Sequence, residues 1–179
     1  MPRLFTGLEI PPEIGAALAR FRGGIPGARW VEPADYHITL RFLGDVPEDL
    51  AADLCEGLAE SRARDPVEVV LDGLACFGGD KPRAVLASVA SNPALVDLQA
   101  EQERICRRAG AEPERRKYTP HVTLARLRRE ATPEAVAMYL SQAGIFEPLQ
   151  FRVSQFALFS ARDSIGGGPY VTEAAFPFA

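Results

Sequence analysis

The chain holds two histidines, and both open the same four-residue pattern, His-x-Thr-Leu: His37-Ile38-Thr39-Leu40 and His121-Val122-Thr123-Leu124. With six threonines and eighteen leucines in 179 residues, a given histidine meets Thr at +2 and Leu at +3 by chance in roughly one case in three hundred. For both histidines the chance is about one in a hundred thousand. A single His-x-Thr strand is more often structural, but two copies that hold every histidine in the chain reverse that reading. Imidazole gives or takes a proton near neutral pH. A threonine hydroxyl donates to an anionic oxygen. Two such pairs suit acid and base chemistry on an anionic substrate.

Apolar and polar residues alternate from His37 to Arg41 and from His121 to Thr123, the period of a β-strand. Residues two apart on a strand share a face, about 6.6 Å apart along it. His37 and Thr39 therefore point one way while Ile38 and Leu40 anchor the strand on the other. His121 and Thr123 stand in the same relation to Val122 and Leu124.

The chain length suits one domain or two intimate lobes, and the apolar fraction of 47% suits a packed core. No apolar run approaches membrane length and the first residues lack a signal-peptide pattern, so a cytoplasmic protein without membrane partners is expected. Cys55, Cys76 and Cys106 are scattered and not in metal spacing, which predicts reduced thiols and neither metal nor cofactor. The net charge of −4 argues against a general nucleic-acid coater. Residues 104–129, however, carry nine basic side chains against Glu112 and Glu114, a local +7 around the second motif. Such a run is most often a solvated face; beside a histidine motif it also suits phosphate binding.

In chain order, strands are predicted at 3–8, 28–31, 37–43, 67–71, 74–77, 84–89, 121–124, 149–159 and 170–176. Helices are predicted from Pro12, from Pro47, from Asn92 to Gly110 and from Thr132 to Gly144. The halves, roughly 3–80 and 83–179, read alike: strand, helix, motif strand, helix, then strands. An internal duplication follows, in an α+β or α/β class, with the two motif strands facing each other across a groove.

The wording around the motifs resembles the 2H phosphoesterase superfamily, and within it the RNA 2′,3′-cyclic phosphodiesterases historically called 2′-5′ RNA ligases. The resemblance rests on RLFTGLEIP, RWVEPADYHITLRFLG and KYTPHVTLAR, and on Tyr170 after a Gly-rich loop. Tyr118 departs conservatively from an expected Phe. The resemblance implies an α+β fold of two pseudo-symmetric lobes, each an antiparallel sheet flanked by helices, with a cleft between. It implies hydrolysis of 2′,3′-cyclic phosphate ends of RNA to 2′-phosphates, without metal, by a monomer. It assigns His37 as proton donor to the departing 3′ oxygen and His121 as proton acceptor from water; the residues alone do not order the two. It assigns Arg126 to phosphate and Phe42 to base stacking.

Opening a cyclic phosphate is an in-line displacement. Water loses a proton on one side while the ribose oxygen gains one on the other, and each imidazole contributes roughly 10²–10⁴-fold. Thr39 and Thr123 are placed to stabilise charge on the non-bridging oxygens. Phe42 and Arg126 both sit at +5 from a histidine, where strict alternation points them away from the imidazoles. A strand that ends or bulges after +3 would bring them back. Tyr170 either lines the cleft or merely begins a strand. Gly166-Gly167-Gly168 lacks the Lys-Ser/Thr of a P-loop and reads as a hairpin connection. The same constellation would also serve another small cyclic phosphate, 2′-5′ ligation as the reverse reaction, or, in a non-enzymatic module, RNA binding alone.

Overall fold

The structure, a computed structural model, describes residues 1–161 and 168–179. The strands are β1 (Arg3–Glu9), β2 (Ala28–Trp30), β3 (His37–Asp45), β4 (Val67–Phe77), β5 (Ala84–Val89), β6 (His121–Leu127), β7 (Leu149–Val153), β8 (Gln155–Ser160) and β9 (Val171–Pro177). The helices are α1 (Pro12–Ala19), α2 (Glu48–Ala59), α3 (Pro93–Arg108) and α4 (Pro133–Gln142), with a 3-10 turn at Pro33–Asp35. Pro12, Pro93 and Pro133 sit in the first turns of α1, α3 and α4, where a missing N–H costs nothing. The Asn92 and Thr132 side chains cap α3 and α4 by accepting from Leu95 N and Ala135 N.

Two strand predictions are corrected. Val67–Leu71 and Leu74–Phe77 form one strand, β4, which passes through a register shift between Leu71 and Gly73 and stays paired to β5 on both sides of it. Leu149–Phe159 is instead two strands, broken at Ser154, because β7 bonds to β4 and β8 bonds to β1. Alternation continues through the break, but the partner changes. Helix α1 stops at Ala19, and tight turns from Phe21 N to Leu18 O and from Arg22 N to Ala19 O close its end.

All strands join one antiparallel sheet in the order β7-β4-β5-β6-β3-β1-β8-β9, with β2 beside β6. The order is palindromic about the β6–β3 contact. Position by position, β6 answers β3, β5 answers β1, β4 answers β8 and β7 answers β9. The register repeats too: Thr39 faces Gly7, which faces Ala157, while Thr123 faces Leu86, which faces Ala75. The sheet halves are not the sequence halves. Strand β4 follows β3 in the chain yet pairs with β5, and β8 follows β7 yet pairs with β1.

One face of the sheet packs on the helices. Leu8, Ile38, Leu40, Val122, Leu124 and Val85 join Leu18, Leu54, Leu98 and Ile105 in a single core. Full burial of each such side chain contributes roughly 1.5–3 kcal/mol. The opposite face carries a smaller cluster of Phe5, Ala157, Phe159 and Ala161, with Tyr170 packed against it.

Candidate active site

Strands β3 and β6 touch through one residue pair, Ile38 opposite Val122. Each strand begins at its histidine, so beyond that pair they run apart. The edge of β6 passes to β2, with Val31 N donating to Leu124 O at 2.9 Å and Ala28–Trp30 pairing with Leu127–Ala125. On the edge of β3, the Tyr118 hydroxyl donates to Thr39 O at 2.9 Å. The sheet forks where the two motifs meet. The site is this open fork rather than an enclosed cavity: depressions of about 560 Å³ beside Phe21 and Tyr139 and about 380 Å³ beside Arg62 and Asp97 lie elsewhere.

Residues directly opposite in a ladder share a face. Ile38 and Val122 are both fully buried on the helix side. Alternation then turns His37, Thr39, His121 and Thr123 to the other face, where all four are half-buried. The residues at +5 join them. Against β1, Thr39 pairs with Gly7 and Arg41 with Thr6, so β3 has an extra residue at Leu40. Against β5, Thr123 pairs with Leu86 and Ala125 with Val85, so β6 has an extra residue at Leu124. Each strand therefore bulges at the same place, three residues after its histidine. Leu40 and Arg41 are both buried, as are Leu124 and Ala125. The bulge inverts the alternation and turns exposed Phe42 and exposed Arg126 to the histidine face.

Both imidazoles are held alike. Nδ1 of His37 donates to Asp35 O at 3.0 Å, and Nδ1 of His121 donates to Thr119 O at 2.7 Å. A carbonyl only accepts, so Nδ1 carries the proton and Nε2 of each ring is left with its lone pair. His37 Nε2 lies 2.9 Å from Thr39 Oγ1. The ring of His37 lies among Phe5 at 4.7 Å, Tyr170 at 5.0 Å and Phe159 at 6.0 Å between centroids. His121 has Phe77 edge-on at 4.8 Å.

These surroundings set the protonation. Burial pushes His37 down to about 4; the Asp35 carbonyl opposes this, and the charges of Arg126 and His121 add to it. His121 is also lowered, by burial first and by Arg126, against the pull of the Thr119 carbonyl. Arg126 is thus close enough for both histidines to feel its charge. Among the described residues it has no ion pair of its own, and Arg29 stands directly across from it on β2. Two guanidinium groups opposite each other are unfavourable without an anion.

Residues 10–164 match the 2′-5′ RNA ligase superfamily. The chain belongs to that superfamily. A member from Geobacillus stearothermophilus, an RNA 2′,3′-cyclic phosphodiesterase, is 35% identical over 183 residues, 97% of this chain. The match spans 56% of that relative, little more than half its length. A protein of the same name from Aeropyrum pernix is 36% identical over 148 residues, 79% of this chain and 83% of the relative. Among solved structures, a Thermus thermophilus protein, TT0787, aligns over 98% of this chain and 97% of its own, with a TM-score of 0.79 and 25% identity. LigT of E. coli, crystallised with 3′-AMP, aligns over the same shares with a TM-score of 0.77 at 23% identity, a likeness of fold.

Within this superfamily fold the predicted site residues come together. His37, Thr39, His121, Thr123, Phe42 and Arg126 share one face of the fork, and Tyr170 meets His37 edge-on. Gly166 and Gly167 lie outside the described residues. The basic run divides. Arg116 is tied to Glu114, and Arg107 to Glu103, whereas Arg115 and Lys117 are exposed and carry no ion pair among the described residues. Sequence reasoning missed Phe5, Phe77 and Phe159, which flank the imidazoles from neighbouring strands, and Asp35 and Thr119, whose carbonyls orient them. The spacing of the last two was visible, since each stands two residues before its histidine. Arg41 was missed as well: it is buried, its Nε bonds Glu103 at 2.6 Å, and it donates to the carbonyls of Phe42 and Glu112. It thereby ties the segment leading into the second motif to the strand of the first.

Proposed function

We propose that this protein is an RNA 2′,3′-cyclic phosphodiesterase that opens the cyclic phosphate to a 2′-phosphate by acid and base catalysis from two histidines. One observation carries the reading: two His-x-Thr pairs lie on one face of two strands bridged at Ile38–Val122, with the reactive Nε2 of each ring left free of backbone partners. The names of the Geobacillus and Aeropyrum relatives support it.

A cyclic phosphate seated in the fork would have one imidazole on each side of phosphorus. His121 takes the proton of the attacking water, and His37 delivers one to the 3′ oxygen as that bond breaks. The Thr39 and Thr123 hydroxyls and the Arg126 guanidinium meet the charge gathering on the non-bridging oxygens. Phe42, 40% exposed with the Arg3 guanidinium 5.5 Å from its ring centre, offers a face to the base. His37 is the more strongly depressed of the two in the free protein, and a donor must be protonated. The bound phosphate anion is therefore assigned a second task, that of raising His37 into its acidic form. With a 5′-hydroxyl end in place of the attacking water, the same displacement would form a 2′-5′ diester at phosphorus as the 3′ oxygen leaves protonated, the ligation for which the superfamily is named.

The palindromic strand order supports reading the chain as one domain built from a duplicated unit, and we take the active form to be a cytoplasmic monomer. No helix of the described residues is long and apolar enough to cross a membrane. The deciding experiment incubates the protein with 2′,3′-cyclic AMP in EDTA and identifies the product by its phosphate position. Release of the 2′-phosphate is the expected result. A 3′-phosphate product would reverse the roles of the leaving oxygens, and no turnover on cyclic mononucleotides or cyclic-ended oligonucleotides would remove the reading.

A further inference from the structure

Asp35 ends the 3-10 turn that leads into β3, two residues before His37. Its backbone carbonyl orients the imidazole, and its carboxylate has a separate set of contacts. Oδ1 accepts the backbone N–H of Tyr170 at 3.1 Å. Gly168 lies against the same carboxylate so closely that a Cβ there would stand 2.4 Å from Oδ2, and its φ of +100° is one that other residues rarely adopt. From β2, Arg29 Nη2 donates to Gly168 O at 2.9 Å. Both hydrogen bonds span a long stretch of sequence, 139 and 135 residues, and converge on one short segment. That segment carries the ring of Tyr170, which meets His37 at 5.0 Å and Phe5 at 5.1 Å, both edge-on. Phe5 and Phe159 form the other walls around the imidazole.

We propose that Asp35 is a positioning residue for His37: its carboxylate clamps the Gly168–Tyr170 segment so that the Tyr170 ring closes one side of the aromatic pocket around that imidazole. The catalytic consequence rests on the proposed function, while the clamp itself does not. Closing the pocket keeps water from the ring and so favours its neutral form, in line with the low value that burial gives His37. Among the described residues, the charged and titratable groups facing His37 are Arg126 and His121 from β6, Tyr170 from the segment before β9, Asp35 on its own lead-in, and exposed Glu9, which pairs with His37 on β1. Phe5 and Phe159 bring no charge. The negative charge of Asp35 acts on His37 in the opposite direction to the clamp. Losing the charge alone would lower the titration midpoint of His37, whereas opening the clamp raises it toward 6.5.

That opposition makes the test decisive. The protein has two histidines, so two imidazole signals titrate in an NMR experiment, and His37→Ala assigns them. In the free, folded protein, D35A and G168A are each expected to raise the His37 midpoint by about one pH unit or more while leaving His121 in place. D35N keeps an oxygen that accepts from Tyr170 N–H, so its midpoint stays within about half a unit of the parent, or below it. Thermal melts establish that each variant is folded. Should D35A and G168A not fold, Y170L, which removes the wall and leaves Asp35 alone, carries the same expectation. An unmoved His37 midpoint in the folded variants overturns the clamp, as does an upward shift in D35N equal to that in D35A. The titration needs no substrate, so a failure of the clamp and a failure of the phosphodiesterase reading are recorded separately.

Discussion

Ile38 of β3 lies directly opposite Val122 of β6, and through this pair the two halves of the sheet meet. Both side chains are fully buried against the helices. One step along each strand, in either direction, stands a residue of the site. Truncating Ile38 or Val122 therefore reaches the chemistry through the backbone. Ile38→Ala is expected to cost roughly 2–5 kcal/mol in denaturant unfolding. It should also lower kcat in the fraction that remains folded, because reacting groups displaced by even about 1 Å lose much of their advantage. Unchanged kcat in folded I38A would show that the bridge does not set the spacing of the site.

His37→Ala and His121→Ala should each reduce hydrolysis of a cyclic nucleotide by at least about 10²-fold, with circular dichroism unaltered. The double variant should be little worse than either single one, because an acid and a base that serve one displacement act as a unit. Near-parental turnover by either folded single variant would sink the mechanism.

Both histidines are lowered in the free protein, so the bell-shaped profile of kcat/KM against pH should be centred below 6.5. Arg126 lowers both. Removing its charge in R126A should carry both limbs to higher pH, weaken substrate binding and preserve the bell, since arginine moves no proton. A shift to lower pH on removing this positive charge would contradict the placement of Arg126.

Folding stability carries the same signature. The unfolded imidazole titrates near 6.5 and the folded His37 near 4, so between these values the unfolded chain binds the extra proton. Stability is fully present above 6.5 and falls as the pH is lowered toward 4. Replacing His37 with Gln should flatten that part of the curve in urea titrations.

Arg115 and Lys117, in the segment that leads into the second motif, are exposed and carry no ion pair among the described residues. Reversing their charges should spare a cyclic mononucleotide, weaken a cyclic-ended oligonucleotide and flatten the salt dependence of its binding. Equal damage to both substrates would place these residues within the site itself, and damage to neither would make them a solvated face.

Much of this arrangement was legible beforehand, because period-two alternation and capping residues announce strands and helices directly. The meeting of the two motif strands followed only from the internal repeat, since alternation within a strand does not name its partner. The side on which Phe42 and Arg126 fall was not. A bulge at Leu40 or Leu124 leaves no mark in an apolar pattern, and Arg41, charged, reads as solvent-facing although Glu103 and two carbonyls hold it in the interior. The break at Ser154 was hidden because both new partners accept the same alternation. The walls of the His37 pocket come from β1, β8 and the segment before β9, whose mutual approach only the strand order decides.

The pairing of β4 with β5, and of β8 with β1, has a consequence for how the chain can be divided. A cut between β4 and β5 gives a first piece whose final strand has lost both neighbours, and a second piece whose β8 has lost β1. Neither fragment contains a complete sheet, and each supplies what the other lacks. Fragment complementation is therefore the behaviour this topology dictates: two silent pieces that recover a fold only by assembling. A chain of one His-x-Thr-Leu unit would meet the same condition as a pair of copies that swap their last strands. Joining two such copies end to end yields the central order β4-β5-β6-β3-β1-β8.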